Sequence, residues 1–346
     1  MARDAPFVTL AIAPFSGPVQ AWDDFAAGQR GFTAFHRLGW REVISAAFGH
    51  QYLPLAATDA GRLVGVLPLV AVTSPWFGRF LVSMPFVNYG GPLGSDQAII
   101  ALTEAAVAEA DRTGAKLLEL RSAVSLPVSL PASHRKVTVV RVLPADAETF
   151  QKQIGSKLRS QIRRPQKEGV VVRFGAEQIA AFYRVFARNM RDLGTPVMPK
   201  VWFDEIARQF GDDVWVGVAW LGDQPVAGGI GFRWGREFEM TWASSLAEHN
   251  KLAPNMLLYS AFVERSIGAG LARFNFGRCT PGSGTHRFKL QWGGQDEALW
   301  WYQQARGAAA TPSPDDRAYA WGPRIWAKLP LPVANLLGPI VVRGVP

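Results

Sequence analysis

The pattern of apolar and polar positions divides the first part of the chain into strands and helices. An Asp59-Ala60-Gly61 step between two such runs is typical of a hairpin turn. A later run has apolar residues at helical spacing and stops at Gly114. The pattern predicts strands at residues 52–58, 62–73, 80–84 and 117–121, and a helix at 97–113.

The same order of elements returns in the second half of the chain. A strand pair around Gly222-Asp223 is followed by a strand, a helix and another strand. These predicted elements cover residues 214–221, 224–234, 238–243, 254–268 and 272–276. A recurrence at an offset of about 160 residues predicts two tandem copies of one α/β unit.

We therefore divide the chain into a first unit at 1–148, a second unit at 149–304, and a linker and tail at 305–346. The first unit begins with a predicted strand at 7–12, and the linker at 305–316 is small, polar and proline-containing. The tail mixes tryptophan and aliphatic residues with Arg324, Lys328 and Arg343. Its prolines argue against one regular membrane-spanning helix. Two interpretations stay open: a membrane-interfacial tail, or a tail that packs on the body.

Composition narrows the class of protein. Hydrophobic residues make up 48% and charged residues 19%, which is typical of a globular protein. A net charge of +9 favours anionic partners. The lone Cys279 excludes an internal disulfide and a cysteine-based metal cluster. Residues 1–10 have no signal-peptide core, and no apolar run approaches the ~20 residues of a transmembrane helix, so we expect a cytoplasmic protein.

Several kinds of active site are not indicated by the sequence. The histidines lack metal-ligand spacing, and phosphate-loop and dinucleotide motifs are missing. Ser244 and Ser245 do not lie in a nucleophile-elbow motif. The histidines are His36, His50, His134, His249 and His286. Direct acyl transfer from an activated donor to an amine remains compatible with these observations, because it needs positioning, a base and charge stabilisation.

Residues 274–294 combine a strand, a glycine turn and positive charge. The turn is followed by a run at 286–292 that we interpret as a second extended segment. Glycine turns can aim backbone N–H groups at an anion, and Arg278, Arg287 and Lys289 lie beside this turn. A hairpin with solvated basic residues is the alternative.

The motifs of this segment resemble those of a known family. FGR, the glycine turn and RFKLQWG are similar to the carboxy-terminal signature of FemAB-related proteins of the acetyltransferase-like (GNAT) fold, in particular the type associated with exosortase/PEP-CTERM systems. Other matching stretches are PFVNYGG, LELRS, KLRSQIRRPQKEG, NMRDLGTPV and WASS, in order over roughly residues 40–302. The resemblance implies an α/β fold of two tandem GNAT-like units, with mixed central sheets flanked by helices, and acyltransferase activity. Bacterial ceramide synthases resemble this class and are the possible subgroup.

The resemblance also implies where the donor binds. In the GNAT fold it lies in a gap between splayed strands, where Asn88-Tyr89 or Ser244-Ser245 fall in the two units. Lys289 corresponds to the lysine of the family's FK motif, a candidate for binding a phosphate or the developing oxyanion. We expect Lys289 to be partly exposed at the edge of the site. A structural lysine at a strand edge is the alternative.

The remaining candidates are assigned by residue type and position. His286 and Glu239 are the candidate bases, and His286 is alternatively a surface residue in a loop. Glu119 and Arg121 suggest a structural ion pair, and Arg278 is the counterpart of Arg121 in the second unit; either arginine suits a bidentate anion. The other candidate substrate contacts are Trp242, Arg287 and Trp292, and the candidate cofactor-binding residues are Gly282, Ser283, Gly284 and Thr285.

A basic helix is predicted over residues 152–168. Its face is either simply solvated or docks an acidic carrier protein or an anionic membrane, and Arg159 and Arg163 share that face. Contact with tRNA is less favoured, because no RNA-binding signature accompanies the charge.

The sequence thus predicts an N-acyltransferase at the inner face of a bacterial inner membrane. The donor is an acyl thioester, acyl-CoA or acyl carrier protein, used as a co-substrate, and no permanently bound cofactor or metal is expected. The acceptor is an amine on a lipid or envelope precursor, with a sphingoid base as the specific hypothesis. The alternatives are aminoacyl-tRNA-dependent transfer to a peptidoglycan precursor, N-acylation of a polysaccharide amino sugar, and a non-enzymatic envelope scaffold.

Overall fold

The computed structural model describes residues 10–306 and 321–345. The start of the predicted first strand and most of the predicted linker lie outside these residues. Strands and helices are numbered here in chain order. Within the described residues, no helix is long and apolar enough to cross a bilayer.

The first sheet has the strand order β1-β2-β3-β4-β6-β15-β7, with β5 paired to β3. Its strands are β1 (Ala11–Pro14), β2 (Gln51–Asp59), β3 (Arg62–Ser74), β4 (Gly78–Ser83), β5 (Leu93–Gly94), β6 (Leu117–Ser122), β7 (Ala132–Ser133) and β15 (Trp300–Ala305). All neighbours are antiparallel except β4 and β6, which run parallel.

The second sheet has the strand order β14-β8-β13-β12-β11-β10-β9. Its strands are β8 (Val137–Val142), β9 (Val170–Phe174), β10 (Val214–Leu221), β11 (Gln224–Trp234), β12 (Glu237–Ser245), β13 (Arg273–Cys279) and β14 (Gln295–Ala298). Here β12 and β13 form the parallel pair.

Helices flank both sheets. They are α1 (Val19–Ala27), α2 (Trp40–Phe48), α3 (Asp96–Thr113), α4 (Ala147–Gln153), α5 (Ser156–Lys167), α6 (Ile179–Asp192), α7 (Lys200–Phe210), α8 (Pro254–Gly268), α9 (Gly284–Leu290), α10 (Trp321–Trp326) and α11 (Leu331–Arg343). The segments β2-β3-β4-α3-β6 and β10-β11-β12-α8-β13 repeat one unit, so the predicted tandem architecture is confirmed.

The two sheets exchange one strand each. Strand β8 lies at the end of the first unit in sequence but pairs with β13 and β14 in the second sheet. Strand β15 lies at the end of the second unit but pairs with β6 and β7 in the first sheet. The boundaries predicted at residues 148 and 304 therefore do not coincide with sheet membership, and as limits of folding units they stay a prediction.

An aromatic core joins the two units. Phe35 and Trp40 of the first half pack on Phe232 of β11 at centroid distances of 5.3 and 5.5 Å, and Trp40 also packs on Trp202 of α7 at 5.5 Å. All four side chains are at most 1% exposed. Burial of this many large rings contributes several kcal/mol of hydrophobic stabilisation, so the units form one body around this core.

Two predicted elements differ in the structure. The run at 286–292, predicted as extended, belongs mostly to helix α9, because the Ser283 hydroxyl caps it by accepting from the His286 N–H at 3.1 Å. The basic helix predicted at 152–168 is interrupted between α4 and α5. Arg159 Nη1 donates to the Gln151 carbonyl at 2.9 Å, so this arginine bridges the break.

Candidate active site between the two units

In each sheet the parallel strands part after a short contact. Strands β12 and β13 pair at three positions, the last being Glu239 with Asn275. Strand β13 then bulges and continues along β8, where Arg278 pairs with Thr138. Gly277 forms the bulge with a φ of 75°, and a Cβ there would lie 2.6 Å from the Met240 carbonyl oxygen. The bulge therefore requires glycine.

Glu239 lies at the point where β12 and β13 part, and it is fully buried. Asn88 Nδ2 donates to its Oε1 at 2.5 Å, and the Tyr89 hydroxyl donates to its Oε2. Asn275 Nδ2 in turn donates to the Tyr89 oxygen at 3.1 Å. The first unit thus inserts two polar side chains into the opening in the second sheet.

The Glu239 carboxylate is held by neutral hydrogen bonds rather than by a direct ion pair. Burial raises the pKa of Glu239 to about 7, although the hydrogen bond from Asn88 and the charge of Lys289 lower it. The half-buried Thr241 hydroxyl also contacts Oε1, at 3.4 Å. A carboxyl group in this environment exchanges a proton near neutral pH, which suits a general base.

Lys289 lies in α9 and is 4% exposed, so the expectation of a partly exposed lysine is wrong. Its Nζ donates to the carbonyl oxygens of Gly277 at 2.6 Å and Arg278 at 2.9 Å. Burial lowers the pKa of Lys289 to about 8. The helix that replaced the predicted extended run turns this side chain inward, where it fixes the strand bulge and places a positive charge near Glu239.

Arg278 is half-buried, and its guanidinium lies 5.0 Å from the centroid of the Trp301 ring. Its side chain makes no hydrogen bond or ion pair with other described residues. Burial, and then the charge of Arg121, lower the pKa of Arg278 to about 10. This guanidinium therefore contacts an aromatic ring but no described carboxylate, and its role in binding an anionic substrate stays a prediction.

Glu119 and Arg121 form the predicted ion pair, with 2.6 Å between Arg121 Nε and Glu119 Oε1. Gln303 Nε2 donates to the other carboxylate oxygen, and Arg121 Nη1 donates to the Val87 carbonyl at 3.2 Å. Arg121 also lies 4.6 Å from the Trp301 ring centroid. Arg121 and Arg278 therefore share one aromatic ring, as expected of equivalent positions in two units.

His286 is buried and its side chain is hydrogen-bonded within the turn, so it is not a loop residue at the surface. The Gly282 N–H donates to His286 Nδ1 at 3.0 Å. Because Nδ1 accepts, Nε2 carries the proton and donates to the Asp296 carboxylate at 2.9 Å. This geometry positions the turn, and a catalytic role for His286 stays a prediction.

The glycine turn mostly satisfies its own polar groups. The Gly282 carbonyl accepts from Arg287 Nη1 at 2.6 Å, and the Ser283 N–H donates to the Thr280 carbonyl at 3.1 Å. Gly284 and Thr285 begin α9 and are exposed. The Gly282 and Ser283 N–H groups are thus already used within the turn, and cofactor binding by this turn stays a prediction.

The remaining candidates lie in packed surroundings. Trp242 packs on Trp202 and Phe203 at 6.3 and 5.4 Å, and Ser244, next to Ser245 at the end of β12, accepts from Asn189 Nδ2 at 3.0 Å. Trp292 is fully buried in the second core. Their roles in substrate binding stay predictions.

Sequence reasoning missed several participants: Asn275, Trp301, Gln303, Thr241 and Asp296. One signal was present, since FNFGR aligns Asn275 with the glutamate of LELRS. Among the residues that the structure describes, no group of three or more His, Cys, Asp or Glu side chains is arranged to hold a metal ion.

Comparison with known proteins agrees with this architecture. Residues 153–290 match the model of the acetyltransferase (GNAT) domain family. No curated protein sequence matches the chain.

Three similar solved structures cover nearly the whole fold. FemX has a TM-score of 0.65 at 13% identity, with 84% of this chain and 97% of that chain covered. The L-PGS of Bacillus licheniformis has a TM-score of 0.56 at 13% identity, with 94% and 96% covered. A tandem GNAT protein from the clavulanic acid biosynthesis pathway has a TM-score of 0.53 at 15% identity, with 87% and 100% covered. These identities show a shared fold. Residues 153–290 thus form a domain similar to the acetyltransferase (GNAT) family, within a chain that has the fold of FemX and of the tandem GNAT protein.

Proposed function

We propose that the protein transfers an acyl group from a thioester donor to a primary amine at the opening between β12 and β13. One observation carries the proposal: Glu239 lies where these strands part, with a pKa raised to about 7. An amine is largely protonated at neutral pH. A base whose pKa lies near the pH at which the enzyme works is needed to remove the proton.

The other residues support the same reaction. The amine nitrogen attacks the thioester carbonyl carbon, an N–C bond forms and the C–S bond breaks. Glu239 accepts the amine proton through the half-buried Thr241 hydroxyl, and the same proton is then given to the departing thiolate, which leaves as a thiol and returns Glu239 to its ionised form. Lys289 holds the bulge at Gly277 and supplies positive charge that favours the developing oxyanion.

Arg278 is proposed to bind an anionic group of the donor or acceptor. Its guanidinium has the fork geometry that suits a phosphate or carboxylate. Acyl-CoA and acyl carrier protein both carry phosphate, so both remain candidate donors. For the acceptor we propose a membrane-associated amine, with a sphingoid base as the specific hypothesis. A basic protein at the inner face of the inner membrane would meet such an amine.

The test is a release assay for free thiol with purified protein and acyl-CoA. Sphinganine, glucosamine and a buffer blank are compared as acceptors, and the amide product is identified by mass spectrometry. We expect thiol release with an amide product from the lipid amine, and loss of both in Glu239→Gln. Amide formation only from charged tRNA would contradict the thioester proposal and favour aminoacyl transfer.

A further inference from the structure

Helix α11 packs on the body through its small residues. Ala334 and Gly338 are buried, and a Cβ on Gly338 would lie 2.8 Å from the Val197 backbone nitrogen. His50 Nε2 donates to the Arg343 carbonyl at 2.8 Å and fixes the carboxyl end of the helix. The helix is therefore held against the body along one defined face.

The opposite face of α11 is apolar and exposed. Val333, Leu336, Leu337 and Ile340 are 39, 71, 39 and 52% exposed. Their spacing places them on one stripe, the stripe that a helix of a globular protein normally buries. The orientation of α11 is thus largely the reverse of the usual one, because these four apolar residues face outward, whereas Val342 packs on the first core.

A second exposed apolar group lies across a cavity from this stripe. Trp76, at the turn between β3 and β4, is 69% exposed. A cavity of about 620 Å³ lies between the turn and α11, and both Trp76 and Ile340 line it. Apolar surface therefore continues across the cavity from the turn to the helix.

The same cavity is positively charged. Arg79, Arg112 and Arg343 line it together with Glu109. Arg112 is paired with Glu109 at 2.6 Å, and Arg79 donates to the Thr113 carbonyl at 3.2 Å. The Arg343 side chain has no partner among the described residues. Three guanidinium groups against one carboxylate leave positive charge for an anion.

We propose that this docking face, composed of Trp76, the outward stripe of α11 and the arginine-lined cavity, binds an anionic phospholipid bilayer with a headgroup phosphate in the cavity. Tryptophan and aliphatic residues partition into the headgroup region of a bilayer, and an anionic surface attracts the arginines. None of these residues belongs to the Glu239 site. A test of membrane binding is therefore independent of a test of acyl transfer.

Vesicle flotation of the full chain tests the proposal, with phosphatidylcholine vesicles that contain or lack phosphatidylglycerol. Leu336→Ser with Ile340→Ser removes exposed apolar surface and should weaken binding about tenfold. The matched control is Val142→Ser with Val171→Ser, which changes residues that are 75 and 49% exposed on the second sheet. We expect the control to bind as the unmodified protein does, and both variants to keep the thermal midpoint.

A charge variant tests the cavity. Arg343→Gln should weaken binding to the anionic vesicles about fivefold and leave binding to neutral vesicles unchanged. Equal binding by the stripe variant and its control would overturn the proposal. A second result would also overturn it: the protein does not bind vesicles, sediments as a dimer, and becomes a monomer when the stripe residues are substituted. The docking face would then pair with a second copy of the chain.

Discussion

The two sheets part at equivalent places, and each has a buried carboxylate there, on β6 in the first sheet and on the non-equivalent strand β12 in the second. In the first sheet, Glu119 lies at the last pair of β4 and β6 and is neutralised by Arg121 at 2.6 Å. In the second, Glu239 lies at the last pair of β12 and β13, with only neutral hydrogen-bond donors in contact. The first arrangement is a closed ion pair. The second keeps a proton acceptor, and its Arg278 contacts the Trp301 ring but has no hydrogen-bond or ion-pair partner among the described residues. One copy of a duplicated unit thus has the features of a structural support, and the other those of a reactive site.

The largest expected effect is a difference in turnover between substitutions of Glu239 and of Glu119. Glu239→Gln should lower the rate of acyl transfer about 10²-fold or more, because the base is lost while the amide can still hydrogen-bond to Asn88 and Tyr89. Glu119→Gln should leave turnover of the folded fraction close to that of the unmodified protein. Thiol-release rates per folded molecule measure both. Equal losses of turnover in the two variants would show that both openings act in catalysis.

The next effect concerns the free energy of unfolding, and here the larger loss is expected in the first sheet. Arg121→Met leaves Glu119 buried without its cation and should lower the free energy of unfolding by about 3–5 kcal/mol. The double variant Glu119→Leu with Arg121→Met should recover most of this loss, because no unpaired charge remains. Denaturant unfolding provides the values. If the single variant is as stable as the unmodified protein, the first carboxylate is not held by an ion pair.

A third comparison uses pH. The native pKa of Glu239 is raised from 4.5 to about 7, so the native state binds the proton more tightly than the unfolded chain. This stabilisation is present below pH 4.5 and is lost as pH rises to about 7, an expected change of about 3 kcal/mol. The free energy of unfolding of Glu239→Gln should lack this decline. Parallel pH dependences of the two proteins would place the Glu239 pKa near its ordinary value.

The smallest effect distinguishes the two arginines. Arg278→Gln should raise KM for the anionic substrate about tenfold with a small change in kcat and in thermal midpoint, because its guanidinium has no described hydrogen-bond partner to lose. Arg121→Gln should instead lower the midpoint. Steady-state kinetics with a thermal melt of each variant test this. A large fall in the midpoint of Arg278→Gln would make that arginine structural as well.

Part of this comparison could be predicted from local sequence. The repeated strand and helix pattern and the spacing of Glu119 and Arg121 gave the tandem units and the ion pair. The contact of Asn88 with Glu239 joins residues 151 positions apart in different units, and no local pattern encodes it. Lys289 was misplaced because a short run such as 286–292 fits both an extended and a helical spacing. The Ser283 cap decides for the helix and thereby buries the lysine.

The strand exchange has a consequence for how the chain folds during synthesis. Thr138 in β8 bonds Asn275 in β13, 137 positions later, so β8 leaves the ribosome long before its partner exists. The free edge of β6 likewise waits for β15, the last strand of either sheet to be made. Such late, long-range pairing slows folding and leaves edges open to wrong partners. If the gene were split between the two copies, the first fragment would carry β8, which the second sheet needs, and the second fragment would carry β15, which the first sheet needs. Selection therefore has a reason to keep the duplicated halves on one polypeptide.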